Sequence, residues 1–386
     1  MKASKIEPKD VTRYVTRITE RELWARAAGR CQFAGCNRHV YKSPVTQEPV
    51  NISEKAHIYS FSQNGPRGWG PFTFNRKGIN DVHNLMLVCH DCHSKIDNEP
   101  DGGRYTSDLL ISWKAAHEKR IAIVTGIAAN KKSNVVLYWA PIGKEKLPLE
   151  PQAAMTALFP GHYPAEEHPI SLSMSWEGKD SKPDYWTVES GNLNDAFQRF
   201  IVPNLERGDH PHFSIFGFAP IPLLVQLGVL FTDKVNCSVY QLQREPEKTW
   251  NWPATSKDIT YKVVRPADHR NPPVLVLSLS GIIDPERIYN VTGREVSLWE
   301  VTIDGPNNDF IKSRQHLSDF RTTIRALMVE ISAVHGNTTP LSIFPAIPLS
   351  CAIELGRIRM PKSEMPWLIF DQNNAVGKFM KTLEIK

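Results

Sequence analysis

The sequence predicts an α/β chain with a smaller α+β module at its N-terminus, and three observations carry that prediction. The stretch "SIFGFAPIPLLVQLG" at 214–228 returns without a gap as "SIFPAIPLSCAIELG" at 342–356, with six identities. Each copy sits in the same succession of strand, helix, strand, proline turn, helix and strand, which is the grammar of a small parallel sheet covered by helices. Four cysteines, Cys31, Cys36, Cys89 and Cys92, are confined to the first quarter of the chain, where no such alternation runs.

A length of 386 residues predicts two or three units, each able to bury a core. We read 1–126 as the first module, 127–164 as a connector and 165–386 as a pseudo-symmetric pair, with halves at about 165–265 and 266–386. No apolar run reaches the roughly 18 residues of a membrane span, and "MKASKIEPKD" lacks the apolar stretch of a signal peptide, so a cytoplasmic protein is expected. Residues 1–126 hold 19 Lys and Arg against 13 Asp and Glu, while the remainder holds 27 against 28. The positive excess is therefore confined to the first module, where it suits a phosphate backbone.

The first module opens with "TERELWARAAGRCQF". Thr19 and Glu22 make a capping box, Leu23, Trp24 and Ala27 an apolar helical stripe, and Gly29 a stop before Cys31. In "EPVNISEKAHIYS" the alternation from Val50 to Tyr59 predicts a strand, and the Gly, Asn, Pro and aromatic content of 60–80 predicts a loop. "NLMLVCHDCHSKI" is read as a single helix. "TSDLLISWKAAHEKRI" is read as another, with Leu109, Leu110, Trp113 and Ala116 inward and Lys114, His117 and Lys119 toward solvent.

Past Gly126, "NVVLYWAPIG" is strand-like and the text through "LFPGHYPAEEHP" is broken by prolines. Each repeat copy is preceded by an alternating strand, "ISLSMSW" or "VLVLSLSG", and a helix, "LNDAFQRFIVPNL" or "SDFRTTIRALMVEI"; "CSVYQLQRE" or "PWLIFDQNN" follows. Ligands of such sheets lie beyond the carboxyl ends of the strands, so the turns after "SIF" and "LSLS" are expected at one shared crevice. No Walker motif or dinucleotide glycine fingerprint is present, which leaves nucleotide hydrolysis there without support.

The cysteines are spaced Cys-x4-Cys and, after a long insertion, Cys-x2-Cys. Two knuckles of this kind in a reducing compartment predict one structural zinc held by Cys31, Cys36, Cys89 and Cys92. Cys237 and Cys351 stand alone in apolar surroundings and are read as buried thiols. Between and beside the knuckles lie His57 at the end of a strand, Asn84, and His93 directly after the last cysteine. This order, "AHI … NL … CxxCH", resembles the HNH nucleases, which implies a ββα-metal fold. The resemblance implies that His57 is the general base toward water, that Asn84 braces the loop carrying it, and that His93 holds a catalytic Mg²⁺ or another divalent ion. Many HNH enzymes place a metal ligand just before the base, where this chain has Ala56; Glu54 is the candidate replacement, with Asp81 and Asp97 in reserve. His83 and His90 are read as bystanders.

The repeated "SIFGFAP" and "SIFPAIP" turns resemble the SAVED domain, a fusion of two CARF-like Rossmann-type halves. With the first module, the chain resembles the HNH–SAVED effector endonucleases of bacterial cyclic-oligonucleotide-based anti-phage signalling (CBASS). That resemblance implies a cyclic dinucleotide activator such as a cyclic GMP-AMP isomer, and a homo-oligomer going from dimer to tetramer or higher. It also implies non-specific cleavage of double-stranded DNA. Candidate ligand-binding residues are Trp176 for base stacking, Phe218, Pro220, Pro345 and Ala346 at the turns, and Gln243, Arg244, Asp371 and Asn373 just past strands. Two other readings are a constitutive or modification-dependent restriction nuclease, which the neutral C-terminal charge disfavours, and a nuclease-dead, zinc-stabilised DNA-binding regulator, which Ala56 would allow.

Overall fold

The computed structural model describes residues 13–98, 103–142, 150–173, 182–207, 211–373 and 377–386. The chain divides into two compact units between Ala128 and Ala129. No helix of the described residues is long and apolar enough to cross a membrane.

In the first unit, helix α1 (Arg17–Ala27) starts at Thr16, whose hydroxyl accepts from the Thr19 N–H at 3.2 Å. The cap therefore lies three residues before the expected Thr19 box, and Glu22 pairs with Arg26 along the helix instead. Gly29, at φ +63°, carries the chain away in a conformation that also leaves no room for a side chain, because a Cβ there would stand 2.9 Å from the Tyr41 ring. Strand β1 (Ser53–His57) pairs antiparallel with β2 (Leu85–Cys89), with Ser53 opposite Cys89 and His57 opposite Leu85. Helix α2 (His90–Asp97) follows without a break, and α3 (Ser107–Thr125) closes the unit.

Two expectations are corrected here. The stretch "NLMLVCHDCHSKI" is a strand followed by a helix: all five residues of β2 are buried, and a short apolar run covered on both faces suits a strand as well as a helix. On α3, Lys114 and His117 turn inward. Lys114 pairs with Glu118 on the same helix, and His117 Nε2 donates to the Ala27 carbonyl at the end of α1 at 3.1 Å, so both polar groups are engaged within the protein rather than by solvent.

The second unit holds two mostly parallel sheets. The first joins β3 (Lys132–Trp139), β4 (Tyr163–Pro164), β6 (His212–Phe218) and β7 (Cys237–Tyr240) in the order β4-β3-β6-β7, with β5 (Ile170–Ser171) also on β3. Around it lie α4 (Pro151–Thr156), α5 (Pro183–Phe200), α6 (Val202–Glu206) and α7 (Ile221–Phe231). The second sheet has the order β13-β12-β11-β9-β10-β8, formed by β8 (Lys262–Val264), β9 (Pro273–Ser278), β10 (Ser297–Thr302), β11 (Leu341–Ala346), β12 (Trp367–Asn373) and β13 (Lys378–Ile385). Its inner strands are parallel, β8 and β13 are antiparallel edges, and its helices are α8 (Pro285–Thr292), α9 (Arg314–His335) and α10 (Leu349–Arg357).

The opening strand of the first half is β3, from the segment read as connector, and it pairs in parallel with β6 as β9 does with β11. Val135, Val136, Leu137 and Tyr138 are buried in succession, as an inner strand covered on both faces requires. Of "ISLSMSW", only Ile170 and Ser171 are strand among the described residues, and Trp176 lies outside them.

The repeated segments are β6 with α7 and β11 with α10. Pro220 and Pro348, the shared proline, cap the two helices. The shared final glycines, Gly228 and Gly356, lie where α7 and α10 cross at backbone distance. A Cβ on Gly228 would fall on the Ile353 carbonyl and 2.8 Å from Arg357 N, and one on Gly356 on the Val225 carbonyl and 2.8 Å from Val229 N. Because these obstacles are main chain, they cannot turn aside. Gly356→Ala in the full chain is expected to lower stability by on the order of 1–3 kcal/mol or more, read as a drop of several degrees in Tm; an unchanged Tm would contradict the close crossing.

Candidate functional site

The cysteine cluster is built from β2 outward. Gln32 extends the free edge of β2: its N–H donates to the Leu87 carbonyl and its Oε1 accepts from Leu87 N–H, both at 2.8 Å. That clamp brings the neighbouring Cys31 against the end of the strand, where Cys89 N–H donates to its sulfur at 3.4 Å. Cys36 returns through a turn in which Gly35 has φ +80°, and Cys92 rises from the first turn of α2. The four sulfurs lie within 4.8 Å of one another, with Cys36 and Cys89 at 3.9 Å.

Sulfurs bound to one tetrahedral zinc at 2.3 Å stand about 3.8 Å apart, so this donor set fits zinc and excludes a disulfide between Cys36 and Cys89. Burial pushes the Cys31 thiol up to about 12 and raises Cys92 as well. At Cys36 burial acts upward too, but hydrogen bonds from the Arg38 backbone and neighbouring thiols outweigh it and lower the pKa. Four sulfurs this close ionise together only around a cation, which would tie the 31–36 turn to the β2–α2 junction.

At the other end of the hairpin, His57 closes β1. Its Nε2 meets Asn80 Oδ1 at 2.9 Å, and the Asn80 amide is oriented by its Nδ2 donating to the Tyr14 carbonyl at 3.4 Å. The Asn80 oxygen therefore accepts from His57 Nε2–H, which leaves Nδ1 as the basic nitrogen. Burial lowers the His57 pKa, with the Asn80 bond acting against it, so the ring is neutral near pH 7. Asn84 is 3 % exposed, and its side chain is fully engaged: Oδ1 accepts from Tyr59 N–H at 2.8 Å, and Nδ2 donates to the Tyr59 and Ile79 carbonyls at 3.0 and 2.8 Å. It ties both ends of the 60–80 loop to the strand that carries His57.

His93 stands one turn before Asp97 on α2, with Nε2 at 3.4 Å from Asp97 Oδ2 and both side chains reachable from solvent. Two ligands of an octahedral divalent ion at about 2.1 Å are separated by roughly 3.0 Å, so this nearly matched pair fits Mg²⁺ with water and phosphate completing the shell. Among the described residues, no group of three or more such ligands exists apart from the cysteines. Glu54 does not join this pair: it shares the strand face of Ala56, opposite that of His57, and approaches His90 Nδ1 at 3.6 Å. Asp97, the reserve, is the carboxylate brought to His93. Asp81 stands before the 3₁₀ turn Val82–Asn84, and His83 lies within that turn.

In the second unit a cleft of about 370 Å³ opens at the carboxyl ends of β6, β9 and β11. Pro220, Pro345, Ala346 and Asp371 line it from both halves, together with Ser280 and Asn308, which the sequence did not single out by themselves. Ser280 Oγ is buried there with no hydrogen-bond partner among the described residues. The other candidates lie elsewhere. Phe218 is packed with Val135, Phe216 and Trp250. Gln243 is buried as a brace, with Nε2 donating to the Ile311 carbonyl at 3.0 Å and Oε1 accepting from Lys312 Nζ at 2.9 Å. Arg244 is exposed, and Asn373 Nδ2 lies 3.4 Å from Met380 Sδ.

A full-length Cys89→Ser protein tests the cluster. Zinc content of one ion per chain should be lost together with several degrees of Tm, and unchanged metal content with unchanged solubility would contradict a four-sulfur site.

Residues 193–385, half of the chain, match the family model of the SMODS-associated and fused to various effectors sensor domain (SAVED), and residues 31–99 match an HNH endonuclease model. No curated protein matches the chain. Similar solved structures include the Acinetobacter baumannii Cap4 SAVED/CARF-domain containing receptor with the cyclic trinucleotide 3′3′3′-cAAA. That match has 12 % identity and a TM-score of 0.43, and covers 72 % of this chain and 60 % of that one. The same receptor with 2′3′3′-cAAA matches at 11 % identity and TM-score 0.43, over 81 % and 67 % of the two chains. The Moraxella osloensis Cap4 receptor matches at 11 % and 0.39, over 72 % and 54 %. This chain thus spans about 60 % of the length of the first of these receptors. With its C-terminal half matched throughout and a nuclease module ahead of it, the chain belongs to the SAVED family and carries an N-terminal HNH endonuclease domain.

Proposed function

We propose that the chain is a divalent-metal-dependent endonuclease that cuts double-stranded DNA without sequence preference when a cyclic dinucleotide, such as a cyclic GMP-AMP isomer, occupies the sensor cleft. The observation that carries this reading is the union, in one chain, of an HNH ββα site with a SAVED domain whose two halves share a cleft. Its volume falls in the range of about 300–1,000 Å³ usual for small-ligand sites. The unpartnered Ser280 hydroxyl supports a polar occupant, since a buried hydroxyl without a partner costs about 1–3 kcal/mol. The role in anti-phage defence, and assembly from a dimer into a tetramer or larger oligomer, follow the same reading.

In the nuclease unit, His57 Nδ1 takes the proton from the attacking water, with Asn80 holding the ring in the required tautomer. Asn84 keeps the loop beside it in place. His93 and Asp97 would hold the divalent ion, which when bound supplies positive charge to the scissile phosphate and leaving oxygen. The positive balance of residues 1–126 favours the DNA backbone.

Plasmid and Mg²⁺, incubated with full-length protein with and without a panel of cyclic di- and trinucleotides, test the reading. Cutting is expected only with one of them; degradation without ligand would sink the gated reading, and no cutting with any would favour a DNA-binding regulator. His57→Ala is expected to lower the rate by about 10²–10⁴-fold while leaving ligand binding intact, and retained cleavage would remove His57 as base. Because the base acts when neutral and burial lowers its pKa, the rate should hold at pH 7 and fall only below the ordinary histidine value of 6.5. Loss of rate beginning above that value would contradict a buried neutral base.

A further inference from the structure

Arg67 lies in the loop between β1 and β2, and nothing in the sequence marks it as functional. It has φ +66°, a left-handed conformation that a non-glycine residue adopts at a cost of about 1–2 kcal/mol. Gly68 follows in the same region at φ +54°, so the glycine that this backbone asks for was at hand one residue later. The side chain explains the arginine. It is 4 % exposed, and its guanidinium reaches both elements of the nuclease site. Nε donates to the Ile58 carbonyl at 2.6 Å and Nη2 to the His57 carbonyl at 3.2 Å, holding the end of β1. Nη1 donates to the Ile96 carbonyl at 3.0 Å, one of the orphan carbonyls in the last turn of α2, and Nη2 also reaches Asp97 Oδ1 at 3.4 Å. The other oxygen of Asp97 is the one that faces His93.

We propose that Arg67 is a positioning residue that sets the His57 end of β1 against the His93–Asp97 end of α2. The hairpin register and the cysteine cluster secure the opposite end of these elements, at Ser53, Cys89 and Cys92. At the reacting end, the Arg67 guanidinium donates to carbonyls of both elements, His57 and Ile58 at the end of β1 and Ile96 in α2. A planar fork with donors on three nitrogens does this, whereas a lysine ammonium cannot reach three carbonyls and a carboxylate in different directions. Arg67 therefore acts on the chemistry through the placement of the base and of the metal-binding carboxylate, without touching substrate.

This inference rests on the reading of His93 with Asp97 as the divalent-ion site, and the test separates the two. Full-length, zinc-loaded wild type, Arg67→Lys, Arg67→Met and His93→Ala are titrated with Mn²⁺ by electron paramagnetic resonance, and zinc content and Tm are measured alongside. Arg67→Lys should bind Mn²⁺ at least about tenfold more weakly, the usual loss when a partner of a metal ligand is removed, with zinc retained and Tm within a few degrees of wild type. Arg67→Met should be weaker still. Wild-type Mn²⁺ affinity in both Arg67 variants, with affinity lost in His93→Ala, overturns the positioning role and leaves the metal reading standing. Affinity kept in His93→Ala overturns the metal reading itself. Loss of zinc or a collapse of Tm in Arg67→Lys shows that the residue serves only the fold, which also overturns the proposal.

Discussion

The sensor unit depends on two helices that meet as bare backbone. Where α7 and α10 cross, Gly228 and Gly356 remove the side chains that would hold the axes apart, and Val225, Val229, Ile353 and Arg357 supply main chain and flank to the contact. Past the crossing, α10 reaches β6 and β7 of the first sheet and α7 reaches β12 and β13 of the second, so the crossing ties one sheet to the other. Polar ties at both ends complete it. At the N-terminal ends, Ser350 N–H and Oγ donate to buried Gln241 Oε1. At the C-terminal ends, Arg357 donates to the Thr232 and Val235 carbonyls while pairing with buried Glu354. The cleft is a consequence: helices forced together at the glycines bring their capping turns, at Pro220 and Pro348, to one place beyond the strand ends.

In the nuclease unit, one antiparallel pairing does the comparable work. The register of β1 on β2 sends His57 to one end of the hairpin and Cys89 to the other. Gln32 and the cysteine cluster fasten the Cys89 end, so helix α2 leaves β2 in a fixed direction and carries His93 with it. The metal that suits the sulfurs and the ion that suits His93 and Asp97 are thus served by adjacent positions of one short helix. In the proposed function, a metal on the sulfurs would fix the helix that presents His93 and Asp97.

Much of this was legible in the residues. The spacing of the cysteines, the order of His57, Asn84 and His93, and the repeated fifteen residues are local or periodic features that survive reading as text. What misled was context. Leu85 to Val88 is an apolar run, and a run buried on every side carries no periodicity to separate strand from helix. Lys114 and His117 are polar and read as solvent-facing, yet the Glu118 carboxylate and the end of α1 draw them inward. Glu54 replaces the missing ligand only as far as it shares the strand face of Ala56, and that face carries it to His90, while Asp97 reaches His93 by helix geometry from the same element. Gln243 follows a strand and so reads as a ligand contact, yet its amide is engaged by the Ile311 carbonyl and Lys312.

Residue types and their spacing set the chemistry available: four thiols at turn spacing, a histidine at a strand end, another behind the last cysteine, and a duplicated strand–turn–helix with a closing glycine in both copies. These are set by residue type and short spacing, which physical chemistry reads without knowing the fold. Which of these groups meet follows from the folded arrangement alone. That Asn80 fixes the tautomer of His57, that Arg67 joins two elements from a loop thirty residues from one of them, and that Gly228 lies against Gly356 are pairings across 23, 30 and 128 positions. No propensity or period spans such distances. They arise because packing of the core brings these particular donors, carbonyls and helix backbones within reach of one another.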